Sequence, residues 1–285
     1  MKTPYLTSEN ITTFIQTAFK EDVGEGDHST NACIPPDKIG KAHLLIKEDG
    51  IIAGLELAKM IFEYYDPSLQ VDLLLKDGQQ VRKGDIGLTV AGKAASILTT
   101  ERLMLNCMQR MSGIATKTHH FDRMISHTKA RLLDTRKTTP NFRLLEKWAV
   151  ALGGGQNHRF ALYDMIMLKD NHVDFAGGIK KAIEATHGYL KSKNLDLKIE
   201  VETRNLEEVK EVLEVGGVDF IMLDNMDYET MRSAVNMIGD RYKTEASGGI
   251  NEDTLVQVAE CGVDFISVGE LTHHIKSMDI SLKAV

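Results

Sequence analysis

The stretch DTRKTTPNFRLLEKWAVALGGGQNHRFALYDMIMLKDNH, residues 134–172, sets Arg136, Lys137, His158, Arg159 and Lys169 around an uncharged glycine run and apolar segments. Arg136 and Lys137 follow Leu132-Leu133-Asp134, and Lys169 follows Met165-Ile166-Met167-Leu168; both runs read as short buried strands. A cation at the carboxyl end of a buried strand, twice in one segment, implies parallel strands whose ends share a pocket. Taken singly, each charge reads most simply as a solvated surface group. Arg and Lys are rarely buried unless paired, so their recurrence just past apolar runs favours an anion site.

Outward from that stretch, a strand–loop–helix rhythm begins at Lys129. Strands are expected at 131–134, 165–168, 197–202, 220–223, 244–246 and 265–268, with helices at 144–152, 178–187, 206–215, 228–238 and 252–261. Such alternation argues for a parallel sheet with right-handed crossovers. Polar residues end every strand: Thr135-Arg136-Lys137, Lys169-Asp170-Asn171, Glu202, Asp224-Asn225, Ser247-Gly248-Gly249, and Gly269-Glu270. Chemistry drawn from all strand ends is a barrel habit, whereas an open doubly wound sheet concentrates it at one switch point.

The chain before Lys129 is of another kind. Thr7-Ser8-Glu9-Asn10 ahead of Ile11, Phe14, Ile15 and Phe19 reads as a capped amphipathic helix. EDVGEGDHSTNACIPP reads as a loop. His43 to Lys47 and Ile51 to Ala53 read as strands around a Glu48-Asp49-Gly50 turn, with Gly50 at positive φ. A helix at 54–65 and further short strands to Ile97 complete a compact α+β unit. A long helix is expected at 101–127, capped by Thr99 or Thr100, with Arg102 in its first turn and its methionines as core filler.

Composition bounds the function. The 285 residues carry a net charge of −7, so no global basic field exists to hold nucleic acid, and a basic cluster in an acidic chain points to a small anionic ligand. Cys33, Cys107 and Cys261 lie far apart with no CxxC pair, which fits a reducing compartment. No run approaches the ~20 apolar residues of a membrane span. A cytoplasmic protein is expected.

SGGI at 247–250 and SVGEL at 267–271 lie at the last two strand ends, where glycines let backbone N–H groups approach a phosphate. Either alone would be an ordinary turn. Glu202 and Asp224 end adjacent strands and suit a general acid–base pair, a hard-cation site or sugar hydroxyls. His119-His120 and His273-His274 read as ordinary histidines, since adjacent helical residues face different ways. The residues thus describe a site for a sugar phosphate and a second, carboxylated ligand.

TERLMLN, DTRKTTP, GGGQNHRFALYDMIMLKDNH, IEVET, LDNM, EASGGI and SVGELTH, in that order, closely resemble quinolinate phosphoribosyltransferase. The resemblance implies an N-terminal α/β sandwich (1–112, joined by 273–285) and a C-terminal incomplete, TIM-like α/β barrel (113–272). It implies phosphoribosyl transfer from phosphoribosyl pyrophosphate to quinolinate with decarboxylation, giving nicotinate mononucleotide, pyrophosphate and CO₂. Arg136, His158, Arg159 and Lys169 would bind the diacid, and Lys137 would lie between the substrates and assist pyrophosphate. Glu202 and Asp224 would hold ribose hydroxyls beside a Mg²⁺ carried by the substrate, with no protein ligand assigned to it. Lys137, Lys169, Glu202 and Asp224 would be the catalytic set. Ser247, Gly248 and Gly249 with Gly269 would take the 5′-phosphate, and Thr135, Val268 and Glu270 would be further substrate-binding residues. Arg102 would reach the active site of a second subunit, making a homodimer or higher assembly. No organic cofactor is expected, because the pyridinium formed in the substrate is itself the electron sink. A nicotinate-preferring transferase, a non-catalytic anion binder and a sugar-phosphate isomerase are the competing readings; the last leaves Arg102, Arg136 and Arg159 idle.

Overall fold

The computed structural model describes residues 4–285. The chain divides into two compact units, one of Met1–His119, Thr138–Gly154 and Leu271–Val285, the other of His120–Lys137 and Gly155–Glu270.

In the first unit, α1 (Ser8–Asp22) starts where Thr7 Oγ1 accepts the Asn10 N–H at 3.2 Å and buries Ile11, Ile15 and Phe19. The segment expected as loop contains a short helix, α2 (His28–Cys33), because Asp27 caps it through the Thr30 N–H at 3.0 Å. Strand β1 (Ile39–Ile46) alternates so that Ala42, Leu44 and Ile46 are buried. The expected hairpin does not form. Instead β2 (Gly50–Ile51) leaves for a separate ladder, where Thr116 Oγ1 takes the Ile51 N–H at 2.9 Å. A Cβ at Gly50 would lie 2.6 Å from that hydroxyl, so close approach, not positive φ, requires the glycine. Helix α3 (Leu55–Tyr65) and strands β3 (Gln70–Leu73), β4 (Gln80–Val81) and β5 (Ile86–Lys93) follow, and β4 is the partner of β2.

Helix α4 (Ala94–Met124) is longer than its capping signal suggests. Thr99 and Thr100 lie inside it; Thr100 Oγ1 bonds back to the Ser96 carbonyl at 2.8 Å and Thr99 Oγ1 turns to Asp27. Arg102 is therefore not in the first turn, and it is exposed.

The second unit contains a single six-stranded parallel sheet. In chain order its elements are β6 (Arg131–Leu133), then β7 (Ile166–Leu168), α6 (Asp170–Ala176), α7 (Ile179–Lys193), β8 (Ile199–Thr203), α8 (Leu206–Val215) and β9 (Phe220–Asp224). Helix α9 (Tyr228–Ile238), β10 (Lys243–Ser247), α10 (Leu255–Ala259) and β11 (Phe265–Ser267) complete it. Between β6 and β7 the chain supplies α5 (Arg143–Leu152) to the first unit. After β11 it returns there as α11 (Glu270–His273) and β12 (Ile280–Ala284), which completes the antiparallel order β12-β1-β5-β3.

The parallel order is β6-β11-β10-β9-β8-β7. Strands β7 to β11 are laid down in sequence, and the first strand pairs with the last, Ile266 opposite Leu132. That is the winding of a barrel, without the reversal of a doubly wound sheet. It stays open because β6 and β7 do not pair with each other. All five residues of β8 are buried, as expected of a strand covered on both faces.

Candidate functional site

Parallel strands in one winding put their carboxyl ends on one rim, and there the structure collects Thr135, Arg136 and Lys137 after β6, Lys169 after β7, Glu202 on β8 and Asp224 on β9. Ser247, Gly248 and Gly249 end β10, and Val268, Gly269 and Glu270 follow β11. Lys169 Nζ lies 3.7 Å from Glu202 Oε2, which joins the cationic side of the rim to its acidic side. Burial, and then the like charge of Asp224, raises the Glu202 carboxyl above its ordinary range, with Lys169 opposing. Asn225 holds Asp224 by donating its side-chain N–H at 2.7 Å. Arg102 belongs to the first unit.

The segment between α5 and β7 is folded on its own acids. Asp134, fully buried, accepts the His158 backbone N–H at 2.9 Å and Asn157 Nδ2 at 2.6 Å. Asp164 gathers the Phe160 and Ala161 N–H groups at 2.6 and 2.7 Å. Arg159 is held between these turns and donates to the Met165 carbonyl at 3.3 Å. Burial, then the neighbouring charge of Arg136, lowers the Arg159 guanidinium below its ordinary value. Two guanidiniums held this close suit a ligand bearing two negative groups.

His158 is differently placed from the other expected diacid ligands. Its side chain is 7% exposed and its Nε2 lies 2.9 Å from Glu200 Oε2 and 3.3 Å from Glu245 Oε2. Burial alone would depress its basicity, but hydrogen bonds to Glu200 and Glu245 outweigh burial and push it up. Burial, then the Glu245 charge, raises Glu200 to about 7. The three groups have metal-ligand types within 4.8 Å of one another. His158 Nδ1 accepts the Arg159 N–H at 2.6 Å, which assigns the ring proton to Nε2, the atom that faces both acids, so a metal there would have to displace that proton.

Glu200 and Glu245 escape a sequence reading that looks only at strand ends. Each stands two residues before a rim residue, Glu202 or Ser247, and so shares its face. The legible signal was a second acid at that spacing in IEVET.

The loop expected to take the phosphate is shaped by glycines. Gly248 has φ +99° and Gly249 φ +62°, and a Cβ on Gly248 would overlap the Asn225 side chain, whereas one on Gly249 would meet open space. The helix expected just past this loop starts later, at Leu255, because Asn251 first forms a turn with Thr254.

Residues 114–283 match the family model described as quinolinate phosphoribosyl transferase, C-terminal domain, and residues 27–112 match the corresponding N-terminal domain. The chain belongs to the quinolinate phosphoribosyl transferase family. It is 48% identical over 298 residues to the Arabidopsis thaliana protein named nicotinate-nucleotide pyrophosphorylase [carboxylating], chloroplastic, covering 99% of this chain and 85% of that one. A Synechocystis sp. protein named probable nicotinate-nucleotide pyrophosphorylase [carboxylating] is 42% identical over 278 residues, 96% of this chain and 92% of its own. Among solved structures, NadC from Streptococcus pyogenes superposes with a TM-score of 0.91 at 39% identity, covering 98% of this chain and 99% of that one. The nicotinate-nucleotide pyrophosphorylase of Francisella tularensis does so at 0.90 and 36%, covering 98% of each. The rim of this quinolinate phosphoribosyl transferase family member is thus built on a shared scaffold of parallel strand ends.

Proposed function

We propose that this chain transfers the phosphoribosyl group of phosphoribosyl pyrophosphate to quinolinate and decarboxylates the adduct, releasing nicotinate mononucleotide, pyrophosphate and CO₂, a step of NAD biosynthesis. The observation that carries the diacid reading is the placement of Arg136 just past β6 and of Arg159, tied to the Met165 carbonyl at 3.3 Å, ahead of β7. There the charge of Arg136 reaches Arg159 and helps lower its basicity. The fork of each guanidinium matches a carboxylate, and a dianion relieves the repulsion between them. Lys169, 3.7 Å from Glu202 at the end of β7, adds a point charge to the same rim.

In this reading the pyridine nitrogen attacks C1 of the ribose as the bond from C1 to pyrophosphate breaks. Positive charge builds at C1 and negative charge on the leaving group. Catalysis is then positioning and charge neutralisation: Lys137 toward pyrophosphate, Glu202 and Asp224 accepting from ribose hydroxyls, and the loop of Ser247, Gly248 and Gly249 around the 5′-phosphate. Thr135 holds the turn through the Lys137 N–H at 3.0 Å. Val268 donates its N–H to the Leu133 carbonyl at 3.0 Å and so fixes where Gly269 and Glu270 leave the sheet. The hard oxygens of Glu202 and Asp224 would suit the neighbourhood of a Mg²⁺ ion, which would add to the neutralisation of the leaving group. The C2 carboxylate then departs with its bonding electrons left on the ring, drawn by the new pyridinium nitrogen, and C2 takes up a proton.

Arg102, exposed on its helix, is assigned to the active site of a second copy, so the working unit is a homodimer. An acidic chain with three free cysteines supports a cytoplasmic setting. No described helix is long and apolar enough to cross a membrane. The test is nicotinate mononucleotide formation from quinolinate, phosphoribosyl pyrophosphate and Mg²⁺. Product without CO₂ release, or faster turnover with nicotinate, would overturn the diacid reading.

A further inference from the structure

Two buried carboxylates at the centre of a sheet need an explanation, because an uncompensated buried charge is expensive. Glu200 is fully buried and Glu245 is 1% exposed. Both Oε2 atoms face His158 Nε2, at 2.9 and 3.3 Å. Both Oε1 atoms are buried without a hydrogen-bond partner. His158 cannot neutralise both acids. Although the two glutamates favour a second ring proton, Nδ1 lies 2.6 Å from the Arg159 amide nitrogen, whose N–H it accepts and which leaves no room for that proton. The ring therefore carries one proton, on Nε2, and is uncharged. The remaining compensation is a proton held between the two carboxyls, as when two acids share a site.

We infer that Glu200 and Glu245 are positioning residues that share one proton beneath His158, lock its ring through Nε2, and thereby fix the Arg159 backbone and guanidinium for the acidic substrate. This rests on the diacid reading of the Arg136–Arg159 pocket. The cluster's single negative charge also lies close enough to Arg159 to favour its guanidinium, partly offsetting Arg136. The lock runs from two strands, β8 and β10, through one ring to one amide, so Arg159 is held by the sheet itself and not by its own loop alone.

The experiment pairs a spectroscopic with a kinetic arm. In the ¹⁵N-histidine spectrum at neutral pH, with His158→Gln as assignment control, His158 shows the neutral Nε2–H tautomer. An imidazolium or an Nδ1–H tautomer overturns the inference, whatever the enzyme's substrate proves to be. Kinetically, a glutamine mimics a protonated glutamate, so each single variant, Glu200→Gln or Glu245→Gln, retains one shared negative charge. Each is expected to raise the quinolinate KM about 3-fold, and the double variant about 30-fold or more, the size of a lost charge-assisted hydrogen bond. The KM for phosphoribosyl pyrophosphate stays within about 2-fold throughout, since its end of the rim does not depend on the lock. A double variant no worse than the singles, one that binds quinolinate more tightly, or an equal loss for both substrates would each overturn the inference. Thermal melts of the same samples identify any variant that loses activity by unfolding, and Glu200→Asp with Glu245→Gln then repeats the test at conserved charge. Quinolinate turnover by the unaltered enzyme separates failure of this lock from failure of the diacid reading.

Discussion

Arg159 donates to the Met165 carbonyl, stands beside Arg136, and is lowered in basicity by burial and by that neighbour. A dianion bound between them would offset that repulsion. Arg159→Ala is expected to reduce kcat/KM for quinolinate at least about 100-fold, because a desolvated carboxylate loses a charge-assisted bidentate partner. Arg159→Lys keeps the charge without the fork and should recover only part of that loss; full recovery would reject bidentate recognition. Glu202 carries a second prediction. Its raised carboxyl binds a proton more tightly folded than unfolded, so its ionisation costs stability once pH rises above the ordinary 4.5. Glu202→Gln should therefore raise the melting temperature at pH 8 by about 2–4 °C. The gain should vanish below pH 4.5, while turnover falls at both ends of this range. A melting temperature that drops at pH 8 would show that the Lys169–Glu202 contact outweighs burial. The rim residues were legible because each follows an apolar run whose burial forces the next polar group to the strand end. Glu200 and Glu245 were not, because an acid inside a strand says nothing of its partner until His158, remote in sequence, is brought to it.

At the scale of elements, the loop after β10 turns on two glycines that do different work. A Cβ at Gly248 would collide with Asn225, the residue that holds Asp224. Gly248→Ala is thus expected to displace Asp224, the proposed ribose acceptor, as well as the loop proposed for the phosphate, and to cost about 10²-fold in turnover. Gly249 is left-handed but faces open space, so Gly249→Ala should fold with a loss of about 1–2 kcal/mol and chiefly raise the KM for phosphoribosyl pyrophosphate. Equal effects from the two variants would contradict this division. Elements of the parallel sheet were readable in sequence because both periodicities are strong and each strand is bounded by polar residues. The antiparallel portion was less so. The Gly50 turn looked like a hairpin because local turn chemistry cannot register that Thr116, distant in the chain, competes for the Ile51 amide. Thr99 and Thr100 looked like caps, yet β5 runs directly into α4 and their hydroxyls find partners inside the helix. Helix α6 was missed beside Lys169, where a seven-residue helix leaves too short a period to read.

At the scale of the whole molecule, the chain is acidic, with a net charge of −7, and yet its expected substrates are anions. Arg136, Lys137 and Lys169 stand at the strand ends, and Arg102, exposed on α4 in the first unit, is the expected site residue that does not follow a strand of that sheet. Its assignment to a neighbouring copy makes a quantitative prediction. Arg102→Ala and Arg159→Ala, each purified as an inactive protein, are mixed and allowed to exchange subunits. Half of the resulting dimers are mixed, and each mixed dimer has one site with Arg159 from one chain and Arg102 from the other. Activity should return to about one quarter of the unaltered enzyme's, from the closed two-fold symmetry of such a dimer. If both arginines served the same chain's site, every site would still lack one of them and mixing would restore nothing. Sedimentation of the mixture as dimers distinguishes that outcome from a failure to exchange, and a monomer at assay concentration would remove the shared site altogether.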